Sequence, residues 1–436
     1  MKKRIMWILL VLCLGLIGCD TMPSEDAKTL TLAVFKSGYG GARSGLLQWV
    51  EVYNENHSDV KIQVVNYLEE YQDPYEAINQ LKIEISAGNG PDMINFGSLY
   101  SPLDASCGMM TDLSPFIQED KSFDNQDLYY NILQAFEVGD SLYALVPSYI
   151  IDSYVTVNRE LAGLENMNMK QLVDAYNRAD EDSILFPGET KKAVFGMICY
   201  GSLENYVDWD KGTCCFDGDS FKEILHFANQ FPEKLNWTDE YSVKAVFVEG
   251  RALLYPVSID SVYDITGTRM VMGETPTYIG YPFDSGYGSM ASIADIAIGI
   301  SSTSQNKEEA WEFLKSLLDS EFQDNVRNGL PVRVSSLEQR LEEAMQAEFD
   351  ENGEKVVKEV LDFADEEPEY IYEMSIEDVE TLKSVIQKIE HNATVDRNLY
   401  NILLEEVDYL FNDGRNEEDV ADIIQNRASV YISEGK

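Results

Sequence analysis

TLTLAVF (29–35), VKIQVVNY (60–67) and PDMINF (91–96) decide the fold class, because two helical stripes separate them. Leu46, Leu47, Val50 and Tyr53 recur at helical spacing within 43–56, and Ile78, Leu81 and Ile85 do so within 75–87. Strand–helix–strand–helix–strand predicts right-handed βαβ units and a parallel sheet. A second α/β section follows. Segments 154–158, 194–200, 252–257 and 293–300 read as strands, and 169–179, 220–230 and 239–248 as helices. Asn306 and Glu309 form a capping-box pattern ahead of a helix whose stripe is Trp311, Leu314, Leu317 and Leu318; Trp311 is expected in the core. The last hundred residues read as helical throughout, with the acidic stretch 348–380 as the solvated face of helices and their loops. Leu399, Ile402, Leu403, Val407 and Leu410 form one stripe, and Asn416 caps the final helix.

The N-terminus carries an address. Lys2, Lys3 and Arg4 precede thirteen mostly apolar residues, 5–17, and then Gly18-Cys19-Asp20. Thirteen helical residues rise about 20 Å, too short for a ~30 Å hydrocarbon core, so the segment reads as a secretory signal. Its Leu16-Ile17-Gly18-Cys19 ending resembles the bacterial lipobox, which implies cleavage before Cys19 and lipidation of that residue. Residues 19–28 then read as a tether. Loss of 1–18 leaves 30 Lys and Arg against 77 Asp and Glu, a formal charge of −47. Such a chain has no electrostatic footprint for nucleic acid, is repelled by anionic membrane surfaces, so that lipid must hold it there, and argues against an anionic ligand. Cys107, Cys199, Cys214 and Cys215 remain; one bridge from Cys199 to Cys214 or Cys215, or four free thiols, both fit.

Several segments, in order, resemble the extracellular solute-binding proteins of ABC importers, of the maltodextrin-binding type (family 1): GPDMINF (90–96), TDLSPFIQED (111–120), GDSLYALVPSY (139–149), SYVTVNREL (153–161), FVEGRALLY (247–255), ISSTSQNKEEAWEFLKSLLDSEFQ (300–323) and IIQNRASVYISE (423–434). FVEGRALLY departs from the family pattern at Leu253-Leu254. The resemblance implies an α/β, two-lobed periplasmic-binding-protein-like fold with hinge crossings and a helical C-terminal region. Lobe one is then 29–148 plus 300–331, and lobe two 152–298 plus 332–436. It further implies a monomeric receptor, lipid-anchored on the outer face of the cytoplasmic membrane. The receptor captures a small solute, a sugar or oligosaccharide, between its lobes and hands it to permease subunits, with no cofactor and no catalysis.

Sugar recognition needs aromatic faces and planar polar groups, and in α/β sheets ligands lie beyond the carboxyl ends of strands. The candidate ligand residues are therefore Tyr39 in the SGYGG loop, Glu69, Phe96 and Tyr100 in the first lobe, and Tyr149 at the first crossing. Tyr206, Asp208 and Trp209 follow in the 200–209 loop, then Tyr281, Asp284 and Tyr287 before the second crossing. SGYGG lacks the Lys-Ser/Thr ending of a P-loop and the spacing of a dinucleotide fingerprint. Gly139-Asp140-Ser141-Leu142 spells the start of a GDSL hydrolase block, but Lys388 stands three residues before His391, where that block needs Asp. The three histidines and four cysteines show no zinc spacing. A hydrolase using Ser141 or a carboxylate pair, a peptide receptor and a protein-binding scaffold are the alternatives.

Overall fold

The computed structural model describes residues 27–35, 45–123, 125–164, 167–201, 203–234, 243–282, 288–362 and 367–435. The signal segment, Cys19, Tyr39, Asp284 and Tyr287 lie outside them. Strand β1 (Lys28–Val34) pairs in parallel with β2 (Val60–Asn66) on one side and β3 (Met93–Asn95) on the other. Helices Gly45–Asn56 and Pro74–Ser86 make the crossovers. The second begins at an Asp73 cap followed by Pro74 at its first position, where a missing N–H is harmless. Leu30 and Leu32 of β1 share one buried cluster with Leu46, Trp49, Val50, Leu81 and Ile85 of these helices.

The spine of the molecule is β4 (Ser148–Thr156), which carries the chain out of the first sheet. Beyond it come the short β5 (Val207–Asp208) and β6 (Thr213–Cys214), which pair as a hairpin. Four further strands follow, β7 (Tyr255–Ile259), β8 (Thr277–Tyr278), β9 (Met290–Ile293) and β10 (Ile298–Ile300). β7, β8 and β9 all run antiparallel to β4, while β10 returns to the first sheet beside β3. β11 (Leu330–Pro331) comes back to pair with Tyr149 and Ser148. Tyr149 therefore has Ile293 on one edge and Leu330 on the other. A last hairpin joins β12 (Glu359–Leu361) and β13 (Glu369–Ile371).

The second lobe's core packs helices Lys191–Tyr200, Asp219–Ala228, Arg397–Phe411 and Glu417–Glu434 around Phe195, Phe216, Phe221 and Phe227. Residues from 332 to 389, expected with this lobe, bury Leu337, Leu341, Leu382 and Ile386 in the cluster that also holds the first sheet. Three local expectations change. Segment 194–200 is helical, because Thr190 accepts from the Ala193 N–H and caps it. The acidic stretch 348–380 includes the β12–β13 hairpin, and its Ile371 and Leu361 lie against helix Asp264–Met272 at Gly267. The 293–300 run is two strands, broken between Ile293 and Ile298 where it changes sheet. Cys107, Cys199, Cys214 and Cys215 form no disulfide with one another. Trp311 is core, as its stripe predicts, and donates to Asp120 at 3.0 Å.

Buried and half-buried carboxylates act as fasteners. Asp92 accepts from the Thr31 N–H (2.9 Å), the Ser304 hydroxyl (2.6 Å) and the Asn306 amide (3.0 Å), tying β1 to the loop before helix Lys307–Ser316. Asn306 thus spends its side chain on Asp92 and makes no side-chain cap bond to that helix. Asp378 receives a forked pair from Arg269 (2.8 and 2.9 Å) and the Thr266 hydroxyl at 3.0 Å. Burial by itself raises the Asp378 pKa, but the bonds from Arg269, Ser375 and Thr266 outweigh it and hold the carboxyl below its usual range. Asp378→Asn is expected to cost about 3 kcal/mol, read by urea unfolding at pH 7. A lowered folded pKa stabilises above the unfolded value and is lost as pH falls through the folded one, so the deficit of the variant should shrink in acid.

Candidate functional site

At the carboxyl ends of the first sheet aromatic rings line up in strand order, Tyr67, Phe96 and Tyr100 buried and Phe35 half-buried. Tyr67 follows β2, Phe35 follows β1 and Phe96 follows β3. Their centroids step by 5.7 Å and 6.0 Å, and Tyr100 continues the row 6.4 Å from Phe96. The Phe35 and Phe96 ring planes are nearly parallel, 9° apart. A recess of about 210 Å³ opens beside them, lined by Phe35, Phe96, Ser98, Ala294 and Asp295. Gly97 makes the turn with φ +51°, and a Cβ there would stand 2.8 Å from the Asp295 carbonyl. Glycine is what lets the loop after β3 sit against the crossing segment.

The second lobe contributes a strip across three strands. Asp152 of β4 accepts from Ser258 of β7 at 2.8 Å and Ser292 of β9 at 2.6 Å. Burial raises its pKa against those two bonds. Tyr154 and Tyr281 meet edge to face at 4.9 Å. Tyr200, at the end of its helix, remains 40% exposed. Burial raises its pKa, the Asp152 charge adds to that and Arg397 opposes it, which groups Asp152, Tyr200 and Arg397 in one electrostatic neighbourhood.

The lobes touch along a polar seam. Ser101 donates to Asp396 at 2.6 Å, and Tyr431 donates to the same carboxylate at 2.9 Å. Leu103 inserts into the second lobe's core, where a Cβ on Gly435 would come within 2.5 Å of it. A small cavity of about 60 Å³ lies at this seam, lined by residues 98–101, Tyr75, Arg397 and Asn398 among others. A wider one, about 620 Å³, is bounded by residues 136–139 of the first lobe, 205–215 of the second and Asn392. Asn392 donates to the Ala135 carbonyl at 2.6 Å. In this cavity Tyr206 is stacked on Phe216 at 5.5 Å and shares a hydrogen bond with Ser220, while Asp208 pairs with Lys211.

The structure thus groups Phe96 with Tyr100, and Tyr206 with Asp208 and Trp209, in separate places. Tyr281 lies beside Tyr154. Glu69 is exposed on a short turn after β2. Tyr149 is wholly buried in β4 and its hydroxyl has no partner. Phe35, Asp396 and Arg397 were not among the sequence candidates. Phe35 ends the first predicted strand, so the rule that selected Phe96 also reaches it; Asp396 and Arg397 sit at the start of a predicted helix, a signal only for a cap. Ser141 donates to Asp112 at 3.1 Å, and the Leu142 N–H donates there too. The GDSL-like turn therefore stitches two loops together. Ser101→Ala removes one donor from Asp396. It is expected to lower stability by about 1 kcal/mol in urea unfolding and to raise the radius of gyration in solution scattering.

The sequence profile of the bacterial extracellular solute-binding proteins matches residues 39–324. No curated protein sequence matches the chain. Among solved structures, the periplasmic oligogalacturonide-binding protein of Yersinia enterocolitica has a TM-score of 0.56 at 13% identity, over 93% of this chain and 99% of its own. The sugar-binding protein MalE of Xanthomonas citri has 0.54 at 14%, over 93% and 98%. The substrate-binding protein Lmo0181 of Listeria monocytogenes, in complex with cycloalternan, has 0.52 at 14%, over 94% and 100%. At such identities the likeness is one of fold; with the profile spanning more than half of its length, the chain belongs to the bacterial extracellular solute-binding protein family.

Proposed function

We propose that this protein is the capture subunit of an ABC importer and that its solute is a sugar or oligosaccharide, held between the two lobes as they close. The observation that carries the reading is the recess of about 210 Å³ at the strand ends, lined by the aromatic Phe35 and Phe96 with Ser98 and Asp295. Flat apolar rings suit the C–H faces of a pyranose, and hydrogen-bonding groups nearby suit its hydroxyls. Asp152, Tyr200 and Arg397 supply such groups from the other lobe. The three similar structures are named for a sugar, an oligogalacturonide or cycloalternan, which supports the same class. Closure would follow from ligand binding one arrangement of the lobes better than the other. No chemical step is needed, and the family is a binding family.

Cys19 would carry the lipid and hold a monomeric receptor on the outer face of the cytoplasmic membrane, beside the permease subunits. A tether of this kind raises the effective concentration of receptor at its transporter. Among the described residues, no helix is long and apolar enough to cross a membrane. The lobes are read as 29–148 plus 300–331 and 152–298 plus 332–436.

Calorimetry over a panel of mono- and oligosaccharides, paired with solution scattering, tests the reading. A member of the panel should bind and shrink the radius of gyration, and Phe96→Ala should weaken that binding about tenfold or more. Absence of both binding and closure across the panel overturns it. In cells, labelled palmitate should enter the wild-type protein and not Cys19→Ser; equal labelling would remove the anchor.

A further inference from the structure

Beside the hinge lies a cavity larger than the recess at the strand ends. Its volume is about 650 Å³, against about 210 Å³ for the recess. That falls inside the range of roughly 300–1,000 Å³ usual for small-molecule sites. Its accessible lining is mainly apolar, with Trp49, Val52, Ile296, Phe322 and Val326 among the residues around it. Trp49, Phe322 and Val326 keep 9%, 6% and 9% of their surface accessible, and Val52 is only half-buried. Trp49 and Phe322 meet edge to face, with centroids 5.5 Å apart and planes at 72°. Such a pair makes a corner against which a third ring packs favourably. The Trp49 indole N–H already donates to Ser316 at 2.9 Å, so it asks nothing of a ligand. The charged groups of the lining, Asp295, Glu321 and Arg327, nearly balance. A lining of this kind selects an uncharged molecule with much apolar surface and a few hydrogen-bonding groups at its edge.

The cavity also touches all three segments that run between the two large sheets. Ser148 begins β4, Asp295 and Ile296 lie between β9 and β10, and Asn328 stands just ahead of β11. These segments are fastened to one another. Gly329 takes φ +78°, and a Cβ there would come within 2.6 Å of the Tyr149 carbonyl oxygen and 2.8 Å of the Ala294 Cβ. The Asn328 amide donates to the Ala294 carbonyl at 3.3 Å. Gln323, wholly buried, donates to the Pro147 carbonyl at 2.9 Å and accepts from the Arg333 N–H at 3.0 Å. Helix Gly45–Asn56 supplies another wall through Trp49 and Val52. A rearrangement that shifts the fastened segments against this helix therefore changes the shape of the cavity.

We propose that this cavity is a second binding site, for an uncharged aromatic molecule, and that its occupant holds the three crossing segments in their present arrangement. A ligand that fits one arrangement of a two-state hinge better than the other shifts the equilibrium by that difference. By reciprocity its own affinity then depends on what the lobes hold between them. The site is separate from the strand-end recess, with which it shares a single lining residue, Asp295. It does not require the captured solute to be a sugar.

Fluorescence titration of the mature protein tests this with phenylnaphthylamine, an uncharged aromatic dye that brightens in apolar surroundings, against its anionic relative anilinonaphthalene sulfonate. The uncharged dye should bind about tenfold or more tighter than the sulfonate. Val52→Asp, which sets a carboxylate in the apolar wall, should weaken it about tenfold or more. Val52→Leu and the recess variant Phe96→Ala should keep it. Amide hydrogen exchange at residues 148–149, 294–297 and 327–330 should slow when the dye is added to the wild type and not when it is added to Val52→Asp. Thermal unfolding checks that each variant is folded. If Val52→Asp does not fold, Gly45→Phe carries the test, because position 45 lines the cavity and a Cβ there meets nothing within 4 Å. Absence of binding, equal binding of the sulfonate, binding lost in Phe96→Ala but kept in Val52→Asp, or unchanged exchange at the crossings each overturns the proposal.

Discussion

Everything in this molecule hangs on the pairing of β4 along both of its edges. β7 takes one edge at residues 151–155, and β9 takes the other at 149–152, with β8 beyond it and β11 opposite β9. A strand so enclosed has little freedom to slip, since moving it by one residue would turn every side chain to the other face. The faces are very different. Tyr149, Ile151 and Ser153 are buried, whereas Asp152 faces partly toward solvent and collects Ser258 and Ser292. The segment that leaves the first sheet therefore also carries a polar group that ties β7 and β9 to it. The return crossing is made by the chain leaving β9 and entering β10, and Asp295 within it stands against Gly97 in the loop after β3. Hinge and site share residues.

The chain's acidity is organised by a few carboxylates that gather several donors each. Asp92 joins β1 to the helix beginning at Lys307, Asp378 joins two helices through Arg269, and Asp396, which also accepts from Tyr431, joins the lobes through Ser101. An ionised carboxylate accepts at two oxygens and donates nothing, so it can close several loops at once. Most of the other acids lie on the surface, where their mutual repulsion is screened and single pairs contribute little.

Much of the architecture was legible in the chain. β1, β2 and β3 are contiguous β-rich runs, and the helices between them show clean stripes, so period alone separates them. Segment 194–200 failed for a physical reason. VFGMICY is apolar on all sides, and an all-apolar run carries no period to tell helix from strand; its helix is set by Thr190 outside the run. The acidic 348–380 stretch failed because charge density hid a short hairpin whose one buried face is held by packing on Gly267. Of the candidate site residues, Phe96 and Tyr100 followed from strand-end geometry. Asp396 and Arg397 did not, because their role depends on Ser101 and its neighbours, nearly three hundred residues away in sequence.

The strength of the seam fits a receptor that must open again. Along this seam the contacts are a few hydrogen bonds, chiefly Ser101 to Asp396 and Asn392 to the Ala135 carbonyl, and the insertion of Leu103, while elsewhere Leu337, Leu341, Leu382 and Ile386 share the buried cluster of the first sheet. Net contributions of such bonds are roughly 1 kcal/mol each. Moving a two-state equilibrium from 1:99 to 99:1 takes about 5.5 kcal/mol of differential binding, which is well within the reach of a solute bound at micromolar strength, about 8 kcal/mol. A seam built of more apolar surface would hold the lobes shut without solute and blunt the response.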